Sequence, residues 1–584
     1  MGKFFGIIDG ENLVIQDIFS DEGDKLWVSY EGEIYNSDEI RLSSESFGYR
    51  FNPGAYSELI AKAYKTWGED FAKRLNGAFS ICIIDKEKEI LYLIRDQVGR
   101  KPVYFSDANG RFAFSSDVKS LLEIPSFPRE IDLRALNFYL TYRYIPQELS
   151  IFNHIRRLPA GCALRLNLRS REIKKWSYWE PPTVEERLAN EDELLKELEK
   201  IIEDAIRIRM RGNSHTGAFL SGGLDSSLIV AMMSRLSSNT LKTFSVGYND
   251  EKYNEIPFSR IVSRYFATDH EEFIIEPDFD AFLESCSFFD EPLGDPSIIP
   301  TYYAMKLGKK YVDSVISGDG ADGLFLGFRT HYLSSRYEEI KRYMIPPFEW
   351  LSGAVAGILP QEVKWRIFFE NKTPEDLFLT RGIVFNAHLR KRLFKNWVLD
   401  ELFREHFSEP EIYGTSTMNS YSGTLSGKMA FLTFKSDPDD ILFKIDKISR
   451  NLSLNVRTPF LDTRLVEFAL GKVPGNMKIR GDKTKYILKR LGAKFLPKEL
   501  PLDRKRGFNP PLFKSLRKEW SHKARDILME GEDNFFNKGY IEKPLNIHKN
   551  PIFDEGRRLS FLLNFKIWGN GHLTVDRLRK LFYL

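Results

Sequence analysis

Asp225 is the residue that packing explains least. It stands in Phe219-Leu220-Ser221-Gly222-Gly223-Leu224-Asp225-Ser226-Ser227, where two glycines let the backbone turn sharply and bring its N–H groups to a phosphate. Ser221, Ser226 and Ser227 add hydroxyl donors. A carboxylate fits beside phosphates when a divalent cation lies between them, as magnesium does. A second glycine- and aspartate-rich run, Ser317-Gly318-Asp319-Gly320-Ala321-Asp322-Gly323, offers Asp319 and Asp322. Aspartates in such a turn also bond their own backbone, so a structural and a ligand-facing role are both open. Lys485 follows Arg480 and Lys483 at a helix start, a setting in which a lysine is usually solvated. Neither run contains the Gly-Lys-Ser/Thr of a Walker loop or a Gly-x-Gly-x-x-Gly dinucleotide fingerprint.

Both runs need a strand before them and a helix after. Residues 218–220 read as the end of a buried strand, and Leu228, Ile229, Val230, Met232 and Met233 as a buried helix behind the first turn. Residues 311–316 read as a strand leading into the second. Between them lie a strand at 243–246, a helix at 257–265 and a strand at 272–275. This alternation predicts a doubly wound α/β domain with a parallel sheet, its ligand crevice at the carboxyl ends of the strands. Upstream, short strands at 26–30, 81–84, 90–94 and 111–114 and one helix at 56–67 predict an α+β domain of antiparallel sheets. Trp179-Glu180-Pro181-Pro182 reads as a linker, and a helix starts near Asn190. The division expected is 1–178 and 190–584, with residues 335–570 mostly helical.

A chain of 584 residues with 42% apolar and 29% charged residues is globular in composition. Its 85 basic and 82 acidic residues leave a net charge of +3, too balanced to argue for nucleic acid or acidic lipid. Cys82, Cys162 and Cys286 form no metal or disulfide pattern, which fits a reducing cytoplasm. The apolar stretch 350–359 is too short to cross a bilayer. Gly2 is not followed by the Ser or Thr that myristoylation wants at residue 6, where Gly6 stands.

In combination these runs resemble the asparagine synthetase B family of PP-loop ATP pyrophosphatases. The likeness extends through Glu33-Ile34-Tyr35-Asn36, Leu75-Asn76-Gly77-Ala78-Phe79 and Arg95-Asp96-Gln97-Val98-Gly99-Arg100-Lys101-Pro102. It continues in Thr243-Phe244-Ser245-Val246-Gly247, Asp290-Glu291-Pro292, Arg457-Thr458-Pro459-Phe460-Leu461-Asp462 and Lys483-Thr484-Lys485-Tyr486-Ile487-Leu488. It implies an Ntn-hydrolase-like amidotransferase domain followed by a ligase that joins ATP to a carboxylate, giving acyl-AMP and pyrophosphate. Ser221, Gly222, Gly223, Asp225 and Ser226 would hold pyrophosphate, while Leu220, Val246, Ser317 and Gly318 would cradle the adenosine. Asp225 and Asp322 would bind Mg2+. Lys485 would stabilise charge at the activated acyl group, and Asp319 would stand near the incoming amine as a candidate base. Asp290-Glu291 would position substrate or cap a loop, and Arg504-Lys505-Arg506 would be either a solvated basic run or, as in related enzymes, part of what closes the site.

The chain also departs from the family. Glutamine-using members begin Met-Cys-Gly, and their cysteine attacks the amide; Gly2 stands in its place here. The Arg-Gly-Pro-Asp stretch is missing, and Glu31 replaces the Asn before Gly-Glu-Ile-Tyr-Asn. In the ligase half, Gly323 replaces a glutamate, Leu326 a glycine, Asn455 a glutamate, and Ser449-Arg450 a Ser-Met. The expectation is an ATP-dependent amide ligase whose amine is not taken from glutamine, with no nucleic-acid or membrane partner. An intramolecular cyclase, as in β-lactam synthetases and lasso peptide cyclases, is preferred. Alternatives are an ammonia-dependent asparagine synthetase or other small-acid amidoligase, and a non-catalytic ATP-binding partner in a biosynthetic complex.

Overall fold

The computed structural model describes residues 4–572 except 11, 22, 52–55, 184–189, 212–214, 277, 338, 340–372, 381, 405–422, 504–511, 532–533 and 548–554. Gly2 and the segments 350–359 and 504–506 lie outside the described residues.

The amino-terminal part is two antiparallel sheets of five and six strands. Period-two alternation builds it. On Gly77–Asp85, Cys82 and Ile84 face Phe4, Ile8, Phe112 and Phe114 of the other sheet. Ile81 and Ile83 face the opposite side, where Leu59, Ile60 and Ala63 of helix Tyr56–Trp67 cover them. Leu26–Ile34 pairs with Gly77–Asp85 along its whole length, which makes it a rigid platform.

The carboxyl-terminal part begins at helix α1 (Glu191–Met210), whose N-cap Asn190 accepts from Asp192 N–H. Five strands follow: β1 (Thr216–Phe219), β2 (Lys242–Tyr248), β3 (Asp269–Ile275), β4 (Ser314–Ile316) and β5 (Asn455–Arg457). They form one parallel sheet in the order β3-β2-β1-β4-β5. Helix α2 (Leu224–Leu236) buries Leu228, Ile229, Val230, Met232 and Met233 against it. β4 is shorter than the sequence suggests: the N–H groups of Tyr311 and Val312 bond back to Gly308 O, closing the preceding helix. β3 is longer, because an edge strand tolerates the charged start Asp269-His270-Glu271. No described helix is long and apolar enough to cross a membrane.

Candidate active site

Register brings the two turns together. β1 and β2 pair with Phe219 opposite Phe244, so Ser221 falls level with Val246. β1 and β4 pair with Ala218 opposite Ile316, so the chain beyond β1 runs beside Ser317 and Gly318. In the first turn Leu220 N–H donates to Phe244 O at 2.8 Å, and Ser245 Oγ donates to Leu220 O. Gly222 has φ +74°, and a Cβ there would sit 2.5 Å from the backbone of Phe258 and Ser259. Only glycine fits. Ser226 Oγ accepts from Ser221 N–H at 3.2 Å, and Gly223 N–H donates to Ser221 Oγ at 3.2 Å. Asp225 lies in the first turn of α2.

In the second turn Ser317 N–H donates to Arg457 O of β5 at 2.9 Å. Ser317 Oγ donates to the Asp319 carboxylate. The turns touch at Gly318, where a Cβ would lie 3.0 Å from Asp225 Cβ. Asp322 follows on a short helix, Ala321–Leu324.

Lys485 closes the site from far down the chain. It caps helix α6 (Tyr486–Phe495; α3–α5 are Ala321–Leu324, Leu425–Ser436 and Ile441–Asn451) in a left-handed conformation, φ 52°. Its Nζ is 2.5 Å from Asp225 Oδ2 and 2.5 Å from Asp322 Oδ1. Burial works to depress this ammonium, but Asp225 and Asp322 outweigh it and hold it above the ordinary lysine range. The lysine is therefore charged, not solvated, and ties the two turns together. Two hard carboxylates meeting at one point suit magnesium, which binds through one or two carboxylates together with substrate phosphates. Asp319 bonds Ser317 and does not join this triad.

Three features of the site were not anticipated. The first is Gly327, at which a Cβ would overlap both the Asp322 carboxylate and the Lys485 stem. Its N–H donates to Asp322 O at 2.8 Å, after Leu326 at φ 58°, the left-handed geometry that explains the glycine usual there. The second is Asp437, whose Oδ2 would be 2.8 Å from a Cβ on Gly323. A carboxylate from the end of α4 thus fills space that a side chain at 323 would take.

The third is the domain boundary. Arg450 pairs with Glu31 at 2.8 Å and with Asp446 at 3.1 Å. Lys101 joins from the amino-terminal side, 2.7 Å from Asp446. Asn455 Nδ2 donates to Glu33 Oε1 at 2.8 Å. Asp290 accepts from Val118 N–H (2.6 Å) and Lys447 (2.8 Å). Glu291 accepts from Tyr104 OH (2.7 Å), Ile151 N–H (2.9 Å) and Arg157 (2.9 Å). Asp290-Glu291 therefore fastens the two halves together.

A parallel sheet whose glycine-rich turns meet over a buried lysine, joined to a two-sheet amidotransferase-type domain, defines an ATP-dependent carbon–nitrogen ligase. The asparagine synthase family model matches residues 197–570 and the glutamine amidotransferase domain model residues 4–179. The chain belongs to the asparagine synthetase family. It is 29% identical to "Asparagine synthetase [glutamine-hydrolyzing] 1" of Bacillus subtilis, over 96% of this chain and 88% of that one. It is 34% identical to a putative asparagine synthetase [glutamine-hydrolyzing] 2 of Methanocaldococcus jannaschii, over 68% and 77%. It is also 23% identical to the Amidase chyE of Penicillium rubens, over 86% and 79%.

Proposed function

We propose that this ligase activates a substrate carboxylate as acyl-AMP and takes its amine from somewhere other than glutamine, by preference from the substrate itself. The observation that carries the reading is a contrast between the two halves. The triad Asp225–Lys485–Asp322 is complete, whereas Glu31 and Glu33 of the amino-terminal half are bound to Arg450, Asn455 and Arg457. Gly2, where the family has its cysteine, offers no nucleophile.

In the proposed reaction a carboxylate oxygen attacks the α-phosphorus of ATP, and the bond to pyrophosphate breaks. Ser221, Gly222, Gly223 and Ser226 bind the pyrophosphate portion, and Leu220, Val246, Ser317 and Gly318 border the adenosine. Asp225 and Asp322 hold Mg2+, which neutralises phosphate charge when bound. The ammonium of Lys485, already charged, stabilises oxygen charge as the acyl carbon becomes tetrahedral. The amine nitrogen bonds to that carbon, AMP leaves with the electron pair, and Asp319 takes the amine proton. When the amine belongs to the same molecule as the carboxylate, proximity replaces a delivered nucleophile.

Asp437 beside Gly323 favours a second reading, an ammonia-dependent synthetase for a small amino acid, because it keeps a carboxylate in reach of a substrate ammonium. Mass spectrometry of the product separates the two. Loss of one water from a single substrate, with AMP and pyrophosphate released, supports cyclisation. Conversion of aspartate and ammonia to asparagine at an ordinary rate overturns it, and glutamine hydrolysis by the purified protein overturns the missing-glutaminase premise.

A further inference from the structure

The Glu33-Ile34-Tyr35-Asn36 run is intact although the reading above gives it no glutamine to bind. Its contacts point elsewhere. Glu33 Oε1 accepts from Arg457 Nη2 at 2.7 Å and Asn455 Nδ2 at 2.8 Å, and its Oε2 from Arg457 Nε at 2.9 Å. Asn455 and Arg457 are two apart on β5, so both side chains leave the same face. One carboxylate thus holds both ends of a three-residue strand. That strand needs holding: among the described residues it is the sheet edge and pairs with β4 alone, and it is too short to be fixed by its own ladder. A bidentate arginine–carboxylate pair is directional as well as strong, and Arg457 is further fixed by donating to Arg209 O at 2.5 Å. Glu33 itself sits on the long strand Leu26–Ile34, which is paired throughout.

What β5 holds is the nucleotide turn. Ile316 pairs with Arg457, and the next residue, Ser317, donates its N–H to Arg457 O. From Ser317 the chain passes directly to Gly318, Asp319 and Asp322. We propose that Glu33 is a positioning residue for the ATP site, acting through Asn455 and Arg457 on the turn at Ser317. The amino-terminal domain then serves the ligase as a fixed brace for one wall of its nucleotide site. This rests on the assignment of Ser317 and Gly318 to that site.

The test is calorimetric titration of the full chain with magnesium and α,β-methylene ATP, well below the melting temperature, so that lost stability alone does not change the affinity of folded protein. Glu33→Ala is expected to weaken binding by about tenfold. Glu33→Gln keeps an acceptor for Asn455 and Arg457 Nη2 but turns an amide N–H toward Arg457 Nε, so its binding should fall between wild type and Glu33→Ala. If Glu33→Ala lowers the melting temperature but binds like wild type, Glu33 is a structural brace only and the inference is overturned. Should Glu33→Ala not fold, Asn455→Ala, which leaves the ion pair in place, is expected to weaken binding by a smaller factor; unchanged binding overturns the inference equally. Gly222→Ala separates the two levels. If wild type and Gly222→Ala bind alike, or neither binds, the nucleotide site itself is misplaced and both readings fail.

Discussion

Replacing Lys485 by methionine tests the site more sharply than loss of activity alone, because it asks what the lysine holds apart. Each carboxylate oxygen lies 2.5 Å from Nζ, so the two are at most about 5 Å from one another. At an effective dielectric near 20, like charges at that separation repel by about 3 kcal/mol. Solvent relieves little of this, because the Asp225 and Asp322 side chains are only 19% and 22% exposed. Methionine keeps the volume and removes the charge. Lys485→Met should therefore be destabilised by about 3 kcal/mol at pH 8, and less as pH falls into the carboxylate range, where one proton relieves the repulsion. Magnesium without nucleotide should restore most of the loss in the variant and do less for wild type, whose lysine already neutralises the carboxylates until the phosphates of bound ATP supply further ligands for the metal. The sign for wild type is the reverse. The raised lysine value means its stabilisation is complete below the ordinary lysine range and is lost only as pH rises through the folded value. Thermal melts of both proteins at pH 5 and pH 8, with and without magnesium, decide the matter. A variant that melts with wild type at pH 8 and ignores magnesium would refute both the ion triad and the metal assignment.

Gly327→Ala forces Asp322 and the Lys485 stem apart, and a shift of about 1 Å at such a site costs on the order of 100-fold in turnover; pyrophosphate release within about threefold of wild type would remove Gly327 from the argument. Lys478 is fully buried, and its Nζ has no hydrogen-bond partner among the described residues; burial pushes its ammonium down to about 7. The unfolded chain therefore takes up a proton before the folded one does, so wild-type stability should fall as pH drops from about 10 to about 7. Lys478→Met should flatten that slope and gain about 2–4 kcal/mol at pH 7, measured by urea unfolding; an equal slope in both proteins rejects the idea. Arg450→Met removes the nearer cation of buried Glu31 and leaves only Lys101 at 3.6 Å, which should cost about 2 kcal/mol, whereas Arg450→Met with Glu31→Asn should cost less. Strictly additive melting shifts would show that the two are uncoupled.

The parts of the site that the sequence made legible are those written in local composition. The turn 221–226 and the turn 317–322 each carry their glycines and aspartates within a few residues, and each follows an apolar run, so loop, strand and helix could be read together. Lys485 became legible only by resemblance, because nothing in its neighbours distinguishes a buried ammonium from a solvated one. The rest was hidden by distance along the chain. Glu31 meets Arg450, Glu33 meets Arg457, and Glu291 meets Arg157 across more than 130 residues. Arg450 and Asn455, visible in the sequence only as departures from the family pattern, therefore gave no sign that they bond Glu31 and Glu33 across the boundary between the halves. Gly327 was illegible for another reason. A glycine states that something comes close, but not what, until the Asp322 carboxylate and the Lys485 stem are seen beside it.

The boundary also bears on where an amine can approach. Between Leu26–Ile34 and helix α5, the side chains of Glu31, Arg450, Asp446 and Lys101 form one connected buried ion cluster, and Glu33 with Arg457 closes the strand edge next to it. A cavity lined by Glu33, Lys101, Asp446, Ser449 and Asn455 lies against this cluster, so a small neutral nucleophile crossing there would pass beside paired charges. The crevice at the carboxyl ends of β1, β2 and β4 opens on its outer side, where Ser221, Gly222 and Gly223 are partly exposed. On the proposed reading, acid and amine both enter through that opening. Free ammonia entering that way competes with water for the acyl-AMP at whatever concentration the solution holds. An amine tethered to the carboxylate arrives at an effective concentration no solution reaches. On the proposed reading, that difference in effective concentration is what favours a substrate that carries its own nucleophile.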